Sequence, residues 1–267
     1  MLLKYPARRL SAHIGHMFLE YPLEERVQRA AAAGFGAVEH PNPFDFGVSA
    51  SRMRELIRAA GVTYTQLATG FGDMERGEMG MACFPGREKE FEDSLKLAVD
   101  YAAEVDCRLV HILAGMPPRD VPEADIWRTY IANLRKTSAL CRERDMTVLI
   151  EFTSELGDPG YLINDHRIAL KAIEESGEDN IGVMLDTFHV AAEHNDSATI
   201  VRELGSLLKH IHVADFPGRG EPGTGRIDFD QFRIALNAVA YDGTVGFEYD
   251  PLGNTEKGLA WIPQWLL

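Results

Sequence analysis

The sequence has few cysteines, no long apolar run and no stretch of basic charge. Its three cysteines, Cys83, Cys107 and Cys141, include no CxxC pair, and an odd count does not suit a disulfide framework in a chain of this size. No uninterrupted apolar run approaches the ~20 residues of a membrane-spanning helix, and no apolar segment typical of a secretion signal follows the basic N-terminus. We therefore expect a soluble, cytoplasmic protein with reduced cysteines.

The charge balance is acidic, with 27 basic and 41 acidic residues and a formal net charge of −14. Such a surface repels the phosphate backbone, so the sequence predicts no nucleic-acid partner. Hydrophobic residues make up 45% of the 267-residue chain, which is enough for a sizeable core.

Short apolar segments rich in β-formers alternate with segments of helical periodicity along the whole chain. This alternation is typical of a parallel sheet built from βα units, and ~250 residues is the usual size of a (β/α)₈ TIM barrel. The sequence predicts strands at 9–14, 36–39, 62–67, 108–113, 146–151, 181–186, 208–213 and 243–248. No linker or internal repeat divides the chain, so we expect one domain over residues 1–267.

The segments between these strands show helical apolar faces that predict helices packed on the outside of the barrel. Apolar positions recur with helical spacing within 53–60, 91–105 and 229–239. Ser51 and Asp228 are candidate N-caps, and Gly61 follows the predicted end of the first of these helices.

Two Gly/Pro-rich loops, 68–87 and 216–226, each follow a predicted strand. The loops that follow strands in a TIM barrel lie at the C-terminal face, where the active sites of this fold are found. Long loops at that face are more often functional than not. We therefore expect both loops near a binding site.

Nearly every predicted strand ends on a polar side chain, although apolar strand interiors give no packing reason for one. These residues are His13, Glu39, Gln66, His111, Glu151, Asp186, His212 and Glu248. Taken singly, a strand-end Glu can cap a helix and a lone His can be a structural residue. Together they predict a polar mouth where the strand ends converge.

The last four of these residues predict a divalent metal site. Glu151, Asp186, His212 and Glu248 are spaced by about one βα unit, which places them on neighbouring strands. Three carboxylates and one imidazole in one pocket repel each other unless a cation lies between them. An oxygen-rich set with one nitrogen suits Mn²⁺, Mg²⁺ or Co²⁺ better than a structural zinc site, although Zn²⁺ remains open.

Several stretches resemble the hydroxypyruvate isomerase group, which includes the 2-oxo-tetronate isomerases and belongs to the wider xylose-isomerase-like TIM-barrel superfamily. They are GFGDMERGEMGMACFPGRE at 70–88, ILAG at 112–115, IEFTSELGDPGYLIN at 150–164, LDTFHV at 185–190, HIHVAD at 210–215, PGRGEPGTGRIDF at 217–229 and GFEYDPLGNTEKGL at 246–259. The resemblance spans nearly the whole chain.

The resemblance implies that Glu151 and Glu248 are paired catalytic glutamates that also bind the metal, with Asp186 and His212 as the other ligands. Closest relatives of hydroxypyruvate isomerase often have Gln where His212 stands, and ketose 3-epimerases have His. The residues that it implies as substrate contacts are His189, Arg219, His111, Glu39 and Gln66.

The implied reaction is aldose–ketose isomerisation of a small hydroxy-keto acid or sugar. A proton leaves the carbon beside a carbonyl and returns at its neighbour through an enediolate, which needs a base and an acid. The choice of first base between Glu151 and Glu248 stays open. Rival functions are a ketose 3-epimerase or inosose-type dehydratase on the same site, a metal-dependent DNA-repair nuclease and a non-catalytic binding protein.

Two further features concern partners and substrate. The C-terminal GLAWIPQWLL is interpreted as a docking tail, with a homo-oligomer contact left open. Relatives commonly read EYKP and then Arg after the last glutamate, whereas this chain has Asp250 and Leu252 at the corresponding places. A buried acid there would repel a substrate carboxylate, which favours a neutral or longer hydroxy-carbonyl substrate with Arg219 at its far end. The alternative is that residue 250 points outward without effect.

Overall fold

Parallel strands form a barrel in the computed structural model of the protein, which describes residues 4–266. The strands are β1 (Leu10–His13), β2 (Ala37–Glu39), β3 (Thr63–Tyr64), β4 (Gln66–Ala68), β5 (Leu109–His111), β6 (Thr147–Glu151), β7 (Ile181–Asp186), β8 (Leu208–Val213) and β9 (Val245–Phe247). Each pairs with its neighbour along the chain except that β3 does not pair with β4, and β9 pairs with β1. The predicted TIM barrel is thus confirmed.

The third predicted strand is divided, because β3 pairs with β2 whereas β4 pairs with β5. Thr65 lies between the two segments. Its backbone N–H still donates to the carbonyl of Val38, 2.9 Å away, so the interruption is confined to one residue. The ring of strands therefore continues from β3 into β4.

Helices follow the strands around the outside. They are α1 (Leu23–Ala32), α2 (Ala50–Ala60), α3 (Glu88–Glu104), α4 (Glu123–Arg142), α5 (His166–Ser176), α6 (Thr187–Ala192), α7 (Ser197–Leu204), α8 (Phe229–Ala238) and α9 (Ile262–Trp265). Short 3₁₀ helices cover Ala7–Arg9, Pro43–Phe46, Met74–Arg76, Gly205–Leu207 and Thr255–Trp261.

The predicted cap of α8 is confirmed, since the Asp228 side chain accepts the N–H groups of Asp230 and Gln231. The predicted cap of α2 is wrong. Ser49, not Ser51, has the extended backbone of a cap and accepts the N–H of Arg52, whereas Ser51 lies inside the first turn. Gly61 ends α2 with a positive φ of 70°, as expected for a glycine after a helix.

The C-terminal segment docks as predicted. Trp261 and Trp265 are 4% and 1% exposed, and both rings pack against Phe247 of β9. The N–H of Tyr5 donates to the carbonyl of Trp265 at 2.7 Å, which ties the two ends of the described chain together. The tail therefore contributes to the core rather than to the polar mouth.

Cys83, Cys107 and Cys141 are free and buried. Burial raises the pKa of each thiol to about 12, so all three stay protonated and unreactive. Among residues 4–266, no helix combines the length and apolar character needed to cross a membrane.

Candidate active site

Four side chains converge at the C-terminal ends of strands β6 to β9. Glu151 ends β6, Asp186 ends β7, His212 is the second-last residue of β8 and Glu248 follows β9. Asp186 and His212 are direct partners in the sheet register, which brings them to the same level. One oxygen or nitrogen from each of the four lies within 4.8 Å of the others. The structure therefore brings the predicted metal ligands together.

The arrangement turns donor atoms toward a common centre. Nδ1 of His212 lies 3.4 Å from Oε2 of Glu248 and 3.8 Å from Oε1 of Glu151. Both ring nitrogens of His212 are buried without a hydrogen-bond partner. Oδ1 of Asp186 caps α6 by accepting the N–H of Phe188 at 2.7 Å, which leaves Oδ2 facing the mouth.

The residues fit a divalent metal ion. Burial alone would lower the pKa of His212, but the carboxylates of Glu248 and Glu151 raise it well above its usual value. Positive charge therefore stabilises this pocket. Nδ1 of His212, which is buried without a hydrogen-bond partner, is a nitrogen that a cation can satisfy. Three carboxylate oxygens and one imidazole nitrogen match the preferences of Mn²⁺, Mg²⁺ or Co²⁺.

Arg219 reaches into the mouth from the loop 216–226. Its Nη2 lies 2.9 Å from Oδ2 of Asp186 and 2.5 Å from Oε2 of Glu248. Burial would lower its pKa, but these two carboxylates raise it, so the guanidinium is always charged. Its Nε–H is buried without a partner, which leaves a donor for an oxygen of a bound ligand.

Asp215, which sequence reasoning missed, organises the loop that carries Arg219. Its fully buried carboxylate accepts the N–H groups of three loop residues and of the residue that follows the loop, at 2.8 to 3.1 Å: Phe216, Gly223, Gly225 and Ile227. A Cβ at Gly225 would collide with this carboxylate, so glycine is required there. The available signal was a carboxylate placed directly before a Gly-rich loop.

Glu248 lies beside two imidazoles from the end of β1. Nε2 of His13 is 3.1 Å and Nε2 of His16 is 3.7 Å from its Oε1. Burial lowers the pKa of His13 to about 4, so this ring is neutral at neutral pH. His16 also contacts Asp250, with 2.9 Å between Nδ1 and Oδ1. Sequence reasoning missed His16, although HIGH at 13–16 places two imidazoles at one strand end.

The predicted contacts His111 and His189 lie on the Glu151 side. Nε2 of His111 is 3.9 Å from Oε2 of Glu151. In α6, His189 is held by Ser154, whose Oγ lies 2.9 Å from Nδ1, and its Nε2 is 3.8 Å from both Asp186 and Asp158. Asp158 was missed in the sequence. Burial raises its pKa, with His189 opposing the shift.

Glu39 and Gln66 lie deeper than predicted. Glu39 is fully buried, and its Oε2 lies 2.8 Å from Nε2 of His210 and 3.7 Å from Nε2 of His212. Gln66 begins β4 rather than ending a strand and pairs with Leu109, the first residue of β5. The observed strand β4 ends at residue 68 and not at Gln66, which explains the difference in level. Glu39 therefore lines the floor beneath the mouth, and Gln66 is buried at the start of its strand.

Comparisons with known proteins agree with the barrel fold. A family model described as Xylose isomerase-like TIM barrel matches residues 27–265. Hydroxypyruvate isomerase of Escherichia coli (strain K12) is 32% identical over 254 residues, covering 95% of this chain and 98% of that protein. The 2-oxo-tetronate isomerase of Cupriavidus necator is 31% identical over 258 residues, covering 97% and 98%. The crystal structure of an AP endonuclease, family 2, from Brucella melitensis matches with a TM-score of 0.92 and 32% identity, covering 97% of this chain and 100% of that one.

Proposed function

The chain belongs to the xylose isomerase-like TIM-barrel family, and from that premise we propose that it is a divalent-metal-dependent isomerase of a small hydroxy-carbonyl compound. The observation that carries the proposal is the convergence of Glu151, Asp186, His212 and Glu248 within 4.8 Å. The names of the two isomerases, each matched over nearly the full length of both chains, support this reaction class.

In this proposal Glu151, Asp186, His212 and Glu248 hold the metal. When bound, the metal supplies positive charge that stabilises negative charge developing on substrate oxygens. Asp186 is fixed for this role by the N–H of Phe188, and Arg219 adds a permanent charge between Asp186 and Glu248.

The two glutamates move the proton. Isomerisation takes a proton from the carbon beside the carbonyl and returns one at the neighbouring carbon. Glu151 and Glu248 offer carboxylate oxygens less than 4.8 Å apart in one pocket, so a substrate lying across them meets both. Arg219, through its unpartnered Nε–H, and His189, fixed by Ser154, orient the substrate beside them.

Epimerisation at C3 of a ketose, or dehydration of an inosose, is the nearest rival because it uses the same carboxylates. A nuclease acting on DNA fits poorly, because the chain has a formal net charge of −14 and no stretch of basic residues to hold the phosphate backbone. The name of the Brucella protein is therefore not carried over to this chain.

The test is an assay of the metal-loaded protein in D₂O with hydroxypyruvate, 2-oxo-tetronate and four- to six-carbon ketoses. Isomerisation moves the carbonyl to the neighbouring carbon and places deuterium on the original carbonyl carbon of the product, whereas C3 epimerisation places deuterium at C3, inverts that centre and leaves the carbonyl in place. We expect the carbonyl to move to the neighbouring carbon in at least one of these compounds. Its absence across the panel, or inversion alone, would contradict the proposal.

A further inference from the structure

His16 and Asp250 form a pair at the rim of the mouth that the reaction outlined above does not use. We propose that this pair determines substrate specificity: His16, oriented by Asp250, binds a hydroxyl group of the substrate beside Glu248 and selects a neutral polyhydroxy ketone or aldehyde over a keto acid. The inference rests on the proposed isomerase function and narrows its substrate class.

The pair is built from two neighbouring strands. His16 lies in the turn after β1, and Asp250 follows β9, which pairs with β1. The N–H of Asp250 donates to the carbonyl of Arg219 at 2.8 Å, so its backbone is fixed by the loop 216–226. Oδ1 of Asp250 then lies 2.9 Å from Nδ1 of His16. The carboxylate holds the proton on Nδ1 and leaves Nε2 directed inward.

Nε2 of His16 faces Glu248 and can accept a hydrogen bond from a ligand in the mouth. Nε2 of His16 and Oε1 of Glu248 are 3.7 Å apart, which is too long for a hydrogen bond. A substrate hydroxyl that lies beside both atoms, about 2.8 Å from Nε2, can donate its proton to Nε2 of His16. The His16 side chain is 29% exposed, so a ligand entering the mouth reaches it.

The charges of the mouth favour a neutral group at this place. The three negative charges of Glu151, Asp186 and Glu248 are balanced by the two positive charges of a divalent cation and the one of Arg219. The local charge at the rim then depends on His16 and Asp250. Together they carry one negative charge when the imidazole is neutral and no net charge when it is protonated. No net positive charge remains there for a substrate carboxylate.

This assignment corrects the expectation that a buried Asp250 acts by direct repulsion. The Asp250 side chain is 62% exposed, so it is not a buried acid. The alternative, an outward side chain without effect, stays a prediction, but Asp250 also contacts Nδ1 of His16 at 2.9 Å. Asp250 is thus a positioning residue, and His16 makes the contact.

The test compares two substrates that differ only in one terminal group, 2-oxo-tetronate with a carboxylate and erythrulose with CH₂OH. The variants are His16→Gln and Asp250→Lys. Asp242→Lys is the matched control, because exposed Asp242 precedes β9 at the opposite end of the same strand and makes the same change in charge. Metal stoichiometry is measured in every variant before kcat and KM.

The wild type is expected to prefer erythrulose. His16→Gln should lower kcat/KM for erythrulose by about 3- to 10-fold, mainly through KM, with a smaller change for the acid. Asp250→Lys should shift the kcat/KM ratio toward the acid by about 10-fold, and Asp242→Lys should leave it within about twofold. A wild-type preference for the acid, or a ratio unmoved by Asp250→Lys, overturns the inference.

Binding separates this inference from the proposed function. Dissociation constants of threitol and threonate are measured by calorimetry in the same metal-loaded variants. Binding of threonate to the metal itself is the same in every variant, so it cancels when the ratios are compared. If no substrate is turned over but Asp250→Lys shifts the ratio of dissociation constants toward threonate about 10-fold, the isomerase proposal fails and the rim assignment stands. If the ratio does not move, the rim assignment fails as well.

Discussion

The two glutamates of the mouth lie in unlike surroundings. Glu248 has Arg219 at 2.5 Å, His13 at 3.1 Å and His212 at 3.4 Å. Glu151 has only His212 at 3.8 Å and His111 at 3.9 Å among its ion-pair contacts within the described residues.

The pKa values of the two carboxyl groups reflect this difference. Burial would raise the pKa of both carboxyl groups, but His212 and Arg219 lower that of Glu248 well below its usual value, and His212 and His111 lower that of Glu151. Glu248 is therefore held firmly as a charged group, whereas Glu151 is held more loosely. We propose from this comparison that Glu248 mainly fixes cations and that Glu151 exchanges protons more readily.

The largest expected effects come from the glutamates themselves. Glu151→Gln and Glu248→Gln should each lower turnover at saturating metal by at least ~10²-fold, the scale of losing an acid–base group. If the comparison holds, Glu248→Gln also weakens metal and substrate binding more, because it releases Arg219. Single-turnover assays at matched metal occupancy check this, with exposed Glu143→Gln as control. Normal turnover in either fully metallated variant would refute the paired roles.

A second prediction concerns the floor beneath the mouth. Glu39→Gln should weaken metal binding by about 10-fold or more, because the carboxylate of Glu39 lies 3.7 Å from Nε2 of His212, on the side opposite the metal ligands, and holds a negative charge beside the ring. Calorimetric metal titration measures the effect. Glu203→Gln is the matched control. Glu203 lies 2.8 Å from Nε2 of His166, the distance at which Glu39 lies from Nε2 of His210, but away from the mouth. Equal metal affinity in the wild type and Glu39→Gln would remove this role.

A third prediction addresses the loop that brings Arg219 to Glu248. Asp215→Asn should lower kcat/KM by about 10-fold, mainly through KM, because an amide cannot accept all four N–H groups. Metal affinity should change little. Asp228→Asn is the control, since Asp228 also accepts backbone N–H groups but caps α8. Unchanged KM in Asp215→Asn would show that the loop is fixed by other contacts.

The smallest effect concerns stability on the Glu248 side, where burial lowers the pKa of His13 to about 4 and that of His40 to about 3. Between pH 6.5 and these values the unfolded chain binds protons that the folded chain excludes, so stability falls as pH drops below 6.5. Replacing His40 by Gln should flatten this fall. Urea unfolding of both proteins at pH 7, 6 and 5 provides the measurement, and parallel curves would contradict the prediction.

Local patterns predicted the barrel and the identity of the four converging residues, because strand periodicity and polar strand ends are encoded within single βα units. The division at Thr65 and the depth of Gln66 were not predictable, since they depend on which neighbour each strand segment pairs with. The contact between His16 and Asp250 joins residues at opposite ends of the chain. Only closure of the barrel between β1 and β9 brings them together.

The central claim is that Glu151, Asp186, His212 and Glu248 hold a metal on which activity depends. The most direct measurement is activity after exhaustive chelation, followed by titration with Mn²⁺, Mg²⁺ or Co²⁺, with circular dichroism to follow the fold. Activity should vanish while the fold persists, thermal stability should fall moderately through lost binding, and activity should return in proportion to bound metal up to one equivalent per chain. Full activity in the exhaustively chelated protein would contradict the account.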